Sequence, residues 1–305
     1  NLLMTSGGKK DSTYVDDVFS TYLYTGQSTT KTITNGIDNL GEGGMLWVKN
    51  RDNARGHQLY DTERLASGSN TTSDYSLTSN SSGAARDMSP NGIVTWKNDG
   101  WSVLGGDGDI NQNGFGDYAS WNFRKSKGFF DVVTYTGTGS ARTIAHSLGC
   151  VPGMIIIKNI SDTWNWRVYH RSIGATKFLQ LNSTNDAGND PSGVMFNSTE
   201  PTANVFSVAT DETVNKNGDN YVAYIFANGG DSGFYSGGGN NTTTAYVKGD
   251  GGMTTGSGLS MTTGPFSVSN TAVNFNGSNS PLQQPASWNT GNSNYTLECW
   301  FKVGS

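Results

Sequence analysis

Apolar residues along the chain gather into short blocks, each rich in Val, Ile, Tyr, Trp, Phe and Thr and each bounded by Gly, Asn, Ser or Pro. Blocks of this length and composition predict β-strands. No stretch holds a 3.6-residue apolar period through three turns, so no long helix is expected. Met154-Ile-Ile-Ile157 is continuously apolar and predicts a central strand covered on both faces. Phe206 and Val208 alternate with Ser207 and Ala209, the pattern of a strand with one wetter face. Asn113-Gly114 and Asn217-Gly218 lie between apolar runs and predict tight hairpins, because Asn-Gly accepts positive φ at both turn positions.

The blocks recur in order. Phe19-Ser-Thr-Tyr-Leu-Tyr-Thr-Gly26 matches Phe130-Asp-Val-Val-Thr-Tyr-Thr-Gly137, and Lys31-Thr-Ile33 matches Arg142-Thr-Ile144, both at an offset of 111. Gly44-Met-Leu-Trp-Val-Lys-Asn50 matches Gly153-Met-Ile-Ile-Ile-Lys-Asn159, and His57-Gln-Leu-Tyr60 matches Trp166-Arg-Val-Tyr169, both at 109. Asn111-Gln-Asn-Gly114 matches Asn215-Lys-Asn-Gly218 at 104, and Tyr118-Ala-Ser-Trp-Asn-Phe123 matches Tyr221-Val-Ala-Tyr-Ile-Phe226 at 103. The offset changes only between blocks, as expected where loops accept deletions and paired strands do not. The sequence therefore predicts an N-terminal extension (1–16) followed by two β-sandwich or jelly-roll-like repeats, 17–127 and 128–228. A linker rich in Gly, Asn and Thr (229–258) comes next, then a further β-region (259–305) with strands at 271–278 and 295–302. Two strands do not make a domain, so this last region is expected to be the start of a larger one. The chain begins at Asn1 without a leader pattern, and is expected to be processed or part of a longer polypeptide.

Composition narrows the function classes. Only 15% of residues are charged and 41 are Gly, yet aromatics reach 11%, which sets the chain apart from disordered polymers. The net charge is −5 with no basic block, which argues against a duplex-binding surface. No apolar run has the ~18 residues of a membrane-spanning helix. Cys150 and Cys299 fall in different predicted domains and read as buried thiols rather than a disulfide or zinc framework.

These blocks resemble a domain of uncharacterised function found in structural and tail-fibre proteins of marine bacteriophages, cyanophages prominent among them. The segments that carry the resemblance are Lys127-Gly-Phe-Phe-Asp-Val-Val-Thr-Tyr-Thr-Gly-Thr-Gly139, Arg142-Thr-Ile-Ala-His-Ser-Leu-Gly149, Val151-Pro-Gly-Met-Ile-Ile-Ile-Lys158, Trp166-Arg-Val-Tyr-His170 and Tyr221-Val-Ala-Tyr-Ile-Phe-Ala227. Thr271-Ala-Val-Asn-Phe-Asn-Gly-Ser278 and Tyr295-Thr-Leu-Glu-Cys-Trp-Phe-Lys302 resemble the opening strands of a laminin-G or concanavalin-A-like lectin module. The resemblance implies a non-enzymatic virion component, part of a tail fibre or a capsid-mounted appendage involved in host attachment. Its implied partners are other virion proteins and further copies of itself, most often as a trimer. A carbohydrate-binding adhesin that meets host polysaccharide is the alternative.

Candidate chemistry is sparse. His57, His146 and His170 stand without a nucleophile or metal-ligand spacing and read as structural imidazoles. Asp107, Asp109, Asn111 and Asn113 place oxygen donors at alternate positions, a set able to wrap calcium. Gln112 stands where a helical calcium loop has Gly, and Tyr118 where it has Glu, so an elaborated hairpin loop is the first reading. The carboxylate pairs Asp16/Asp17, Asp61/Glu63 and Asp211/Glu212 are the nearest approach to a depolymerase site, and Asp61 is replaced by His170 in the second copy. Trp96, Trp101, Trp164, Trp166 and Trp288 sit beside Asn, Asp and Gly and are candidates to stack on sugar rings. Core packing is the first reading of each. The Asn-x-Ser/Thr triplets follow from composition and carry no weight.

Overall fold

The computed structural model describes residues 15–228 together with the backbone of 260–268 and 271–274. The first copy runs α1 (Val15–Val18), β1 (Phe19–Thr25), β2 (Lys31–Thr34), α2 (Asn39–Glu42), β3 (Gly44–Asn50), β4 (Gln58–Asp61), β5 (Thr72–Ser73), β6 (Tyr75–Thr78), β7 (Arg86–Asp87), β8 (Ile93–Lys97), β9 (Gly100–Leu104) and β10 (Asp117–Arg124). The second runs β11 (Phe130–Thr136), β12 (Arg142–Ala145), β13 (Pro152–Asn159), β14 (Arg167–His170), β15 (Lys177–Phe178), β16 (Gly188–Asn189), β17 (Val205–Val208), α3 (Glu212–Asn215) and β18 (Asn220–Ala227). The fold is all-β, and among the described residues each helix is a single four-residue turn.

Each copy is a sandwich. In the first, a six-stranded sheet ordered β1-β10-β3-β4-β6-β7 faces a four-stranded sheet ordered β2-β9-β8-β5. Leu46, Val48, Tyr60, Val94, Trp96 and Trp101 pack between them. In the second, β11-β18-β13-β14 faces the pair β12-β17, with Ile155, Ile157, Phe206, Val208 and Tyr221 between. The duplication extends to strand register. Phe19 opposes Phe123 as Phe130 opposes Phe226, Trp47 opposes Trp121 as Ile156 opposes Tyr224, and Ile33 opposes Trp101 as Ile144 opposes Phe206.

The two sandwiches are stacked into one body through a third apolar layer. Along β3, Leu46 and Val48 point into the first core, while Met45 and Trp47 point the other way and meet Ile156, Val168, Tyr224 and Phe226 of the second copy. Along β13, Ile155 and Ile157 serve the second core while Met154 and Ile156 serve the shared layer. The unbroken apolar run at 154–157 is explained by a strand with a different partner on each face. Phe123 and Phe226 are equivalent residues of the two copies, and their rings meet edge to face at 5.7 Å. Equivalent strands of the two copies, β3 and β13, thus both face the shared layer, whereas of the outer pair only β11, through Phe130 and Val132, enters it.

Two sequence expectations are corrected. Asn113-Gly114 and Asn217-Gly218 do not close two-residue hairpins. Gly114 and Gly218 do adopt positive φ, but Asn113-Gly114 lies in the passage from β9 to β10, which belong to opposite sheets, and Asn217-Gly218 follows α3. The element preceding each is a plug. Asn111 donates to the carbonyls of Thr29 and Gly105 and accepts from the Gln27 amide, and Asn215 repeats this with Ser140, Ala209 and Thr138. The second correction concerns β17. Ser207 and Ala209 are buried along with Phe206 and Val208, so that strand has no wet face.

In the separate C-terminal unit, Ser260–Val268 (β19) pairs antiparallel with Thr271–Asn274 (β20). β20 falls within the strand expected at 271–278, whereas β19 was not anticipated. The strand expected at 295–302 lies outside the described residues.

Candidate functional site

The most unusual polar chemistry lies where the two copies meet. Asp61 ends β4 and is fully buried. Its Oδ2 accepts from Arg64 Nε at 2.8 Å and from the Tyr224 hydroxyl of the second copy at 2.7 Å, while Oδ1 accepts from the Glu63 amide at 3.1 Å. Arg64, only 8% exposed, also donates from Nη2 to the Leu59 carbonyl at 3.3 Å and to the Tyr224 hydroxyl at 3.4 Å. Its Nη1 is buried without an acceptor. Burial opposes the charge on Arg64, but the Asp61 carboxylate and the Tyr224 hydroxyl outweigh it and hold the guanidinium protonated. Burial, with Asp61 alongside, pushes the Tyr224 phenol well above its usual range.

A second ionic link runs beside the first. Lys125, in the short connection between copies, reaches Glu63 at 2.8 Å and Asp131 of β11 at 3.3 Å. The two acids raise its pKa against the opposing effect of burial. Trp166 seals the other side, its Nε1 donating to the carbonyls of Thr78 at 3.2 Å and Ser81 at 3.0 Å. Between these contacts opens a cleft of about 520 Å³, with Glu63, Leu65 and Tyr75 on one wall and Thr134, Ile160 and Asn220 on the other. Tyr75, at its rim, is 43% exposed. The cleft is open to solvent and lined by polar and apolar groups alike.

The residues singled out from sequence fall elsewhere, and most prove structural. Trp96 and Trp101 oppose each other across the β8–β9 hairpin and are fully enclosed in the first core, with Trp96 Nε1 donating to Ser73 Oγ at 2.9 Å. Trp166 is buried in the shared layer. None of the three offers a ring face to a sugar, and all three pack in the interior instead. Trp164 is half-buried, and Trp288 lies outside the described residues.

The calcium reading is also corrected. Asp107 and Asp109 do converge, but on a cation the protein supplies: Arg86 reaches Asp107 at 2.6 Å and Asp109 at 2.8 Å. Asn111 spends its side chain on the plug, and Asn113 is exposed on the loop.

The histidines serve local structure. His57 Nδ1 accepts from Trp47 Nε1 at 3.1 Å, and His170 Nδ1 accepts from the Ser172 amide at 3.2 Å. His146 accepts from the Leu148 amide at Nδ1 and faces the Thr202 carbonyl with Nε2, which sets the tautomer protonated at Nε2. Burial lowers the pKa of both His57 and His146. The Asp61/Glu63 pair is split, one acid turned to Arg64 and the other to Lys125. Asp211 caps α3 by accepting from the Thr213 amide. Asp16 and Asp17 lie in the turn of α1, not on a strand.

Residues 14–249 match the family described as a domain of unknown function, DUF7483. The chain belongs to the DUF7483 family. The match takes in both sandwiches, so the duplicated pair lies within one family unit. No curated protein and no solved structure matches the chain. Sequence reasoning missed the Asp61–Arg64–Tyr224 cluster at the heart of this DUF7483 unit. The one available signal was the divergence of Asp61 from His170 at otherwise matched positions. A residue that differs between copies stands where their surroundings differ.

Proposed function

We propose that the chain is a non-enzymatic structural component of a phage virion, part of a tail fibre or capsid-mounted appendage. The observation that carries this reading is the shared apolar layer, which joins two copies of one sandwich into a single body. Charged side chains also bridge the copies: Asp61 and Arg64 reach Tyr224, and Lys125 reaches Asp131. Such a unit transmits load and resists proteolysis, since its loops are pinned by the duplicated asparagine plugs. The resemblance of the blocks at 127–227 to phage structural proteins supplies the setting. Immunogold labelling with an antibody raised against the chain tests it. Gold on the tail or capsid surface of purified virions is expected. Antigen confined to infected cells and missing from washed virions would overturn the reading.

A second reading, a carbohydrate-binding adhesin, draws on the cleft between the copies. An exposed tyrosine ring beside hydroxyl, amide and carboxylate groups is suited to a neutral saccharide. Titration with oligosaccharides from host surface polysaccharide tests it. Binding that Tyr75→Ala weakens at least tenfold supports the adhesin, and binding indifferent to Tyr75 and Asn220 removes the cleft from consideration.

A further inference from the structure

The edges of the described sheets differ sharply in how they are protected. β5 and β7 have two residues each, and β7 is the charged pair Arg86-Asp87. β2 is four residues long and begins with Lys31. β14 carries Arg167 and is bridged at Val168 by Leu179. β17 is buried, and its partner β12 begins with Arg142. β11 holds Asp131, itself bound by Lys125. Short length, charge and covering segments are the usual devices that keep a sheet edge from pairing with another chain.

β1 has none of them. Its seven residues, Phe-Ser-Thr-Tyr-Leu-Tyr-Thr, contain no charge, proline or glycine, and among the described residues it pairs with β10 alone. It also has the largest apolar exposure. Leu23 is 62% exposed and Tyr22 38%, with Val15 exposed just before the strand. The equivalent positions in β11 are Thr134 for Leu23 and Asp131 for Ser20. The divergence thus leaves the apolar, uncharged version on the first copy. Strand register places Leu23 beside Ala119 and Thr21 beside Trp121, with Trp121 opposite Trp47. This is the same face of the sheet that, further in at Met45 and Trp47, packs on the second copy. The apolar strip of the internal interface therefore continues outward to β1.

We propose that β1 is the surface through which two copies of this chain associate, by antiparallel pairing of β1 with β1 about a two-fold axis at Tyr22. The strand is self-complementary in that register. Phe19 meets Thr25, Ser20 meets Tyr24, Thr21 meets Leu23, and Tyr22 meets itself. Because every pairing joins positions of the same parity, Phe19, Thr21 and Leu23 stay on one face, and no like charges are opposed. Backbone hydrogen bonds supply the pairing, as in other strand additions, and the Leu23–Trp121 strip runs on into its mate. Two six-stranded sheets become one of twelve strands. An isologous contact of this kind closes at two copies. The inference stands independently of whether the protein is a virion part.

Native mass by light scattering on the full chain, with oxidative cross-linking, tests it. The expected mass is two chains, falling to one in Thr21→Lys/Leu23→Lys, whose sites are exposed and outside both cores. Tyr22→Cys is expected to form a disulfide-linked dimer, and Ser20→Cys, which faces Tyr24, is not. A wild-type mass of one chain or of three overturns the proposal, as does an assembly that keeps its mass in the double lysine variant. An intramolecular bridge from Tyr22→Cys to Cys299 would assign the edge to the chain's own C-terminal segment and would equally overturn it.

Discussion

Asp61 satisfies Arg64 and Tyr224 together, so its removal strands a buried cation and a buried hydroxyl at once. Asp61→Ala is expected to destabilise the protein by ~3–5 kcal/mol, the cost of breaking a buried pair from one side. Replacing both charges, with Asp61→Leu and Arg64→Met, removes the unpaired charge as well and is expected to recover most of that loss. Urea denaturation of the two variants checks the difference. Lys158 makes a pH-dependent contribution. It is buried in β13 beside the carbonyls of Asn159 and Asp162, and burial pushes its pKa down to about 8 against the weaker opposing pull of Asp162. The folded protein releases this proton near pH 8, whereas the unfolded chain holds it to near 10.5. Between those values the unfolded state binds more protons, so this group's penalty, full below pH 8, fades as pH rises towards 10.5. Stability of wild type relative to Lys158→Met is therefore expected to rise over that interval. A flat difference in unfolding free energy against pH would contradict the assignment.

Among the elements, the duplicated plug loops explain why the blocks at 111–114 and 215–218 match so closely. Asn111 and Asn215 each bind two carbonyls and one amide at equivalent places. Asn111→Ala and Asn215→Ala are expected to cost similar amounts, ~1–3 kcal/mol each for the backbone groups left unsatisfied. Unequal melting shifts would show that the two loops do different work. The Arg86 fork has its own consequence: the guanidinium occupies the place where Asp107 and Asp109 converge. Chelation by EDTA is thus expected to leave the thermal midpoint of the wild type unchanged, and a fall would show that a divalent ion competes there with the arginine. Strands were legible because their blocks are short and β-branched. The Asn-Gly steps were misread because φ preference fixes a local turn but not which sheet the next strand joins. Trp96 and Trp101 keep a sugar-stacking alternative beside core packing in the sequence because their neighbours, Asn98 and Asp99, are polar. Those neighbours form the tip of a two-residue hairpin whose flanks are core.

At the scale of the whole molecule, the shared layer predicts that the two sandwiches unfold together. A single calorimetric transition is expected for the two sandwiches, and Ile156→Asp, which places a charge among Met45, Leu59 and Tyr224, is expected to destabilise both copies and lower it. Two separated transitions in the wild type would mean that the copies are independent.

Sequence alone determined the all-β class, the duplication and the strands that carry it, because side-chain periodicity and block spacing are properties of the chain read in order. It also marked 154–157 as covered on both faces. Tertiary structure alone decided what does the covering, since both candidate partners, another sheet of the same copy and the other copy, leave the same apolar run. It decided likewise that Asp107 and Asp109 meet an arginine 21 residues and more away rather than a metal, and that Asp61 meets a tyrosine 163 residues further on. These are contacts between parts of the chain whose separation in sequence carries no record of their approach in space.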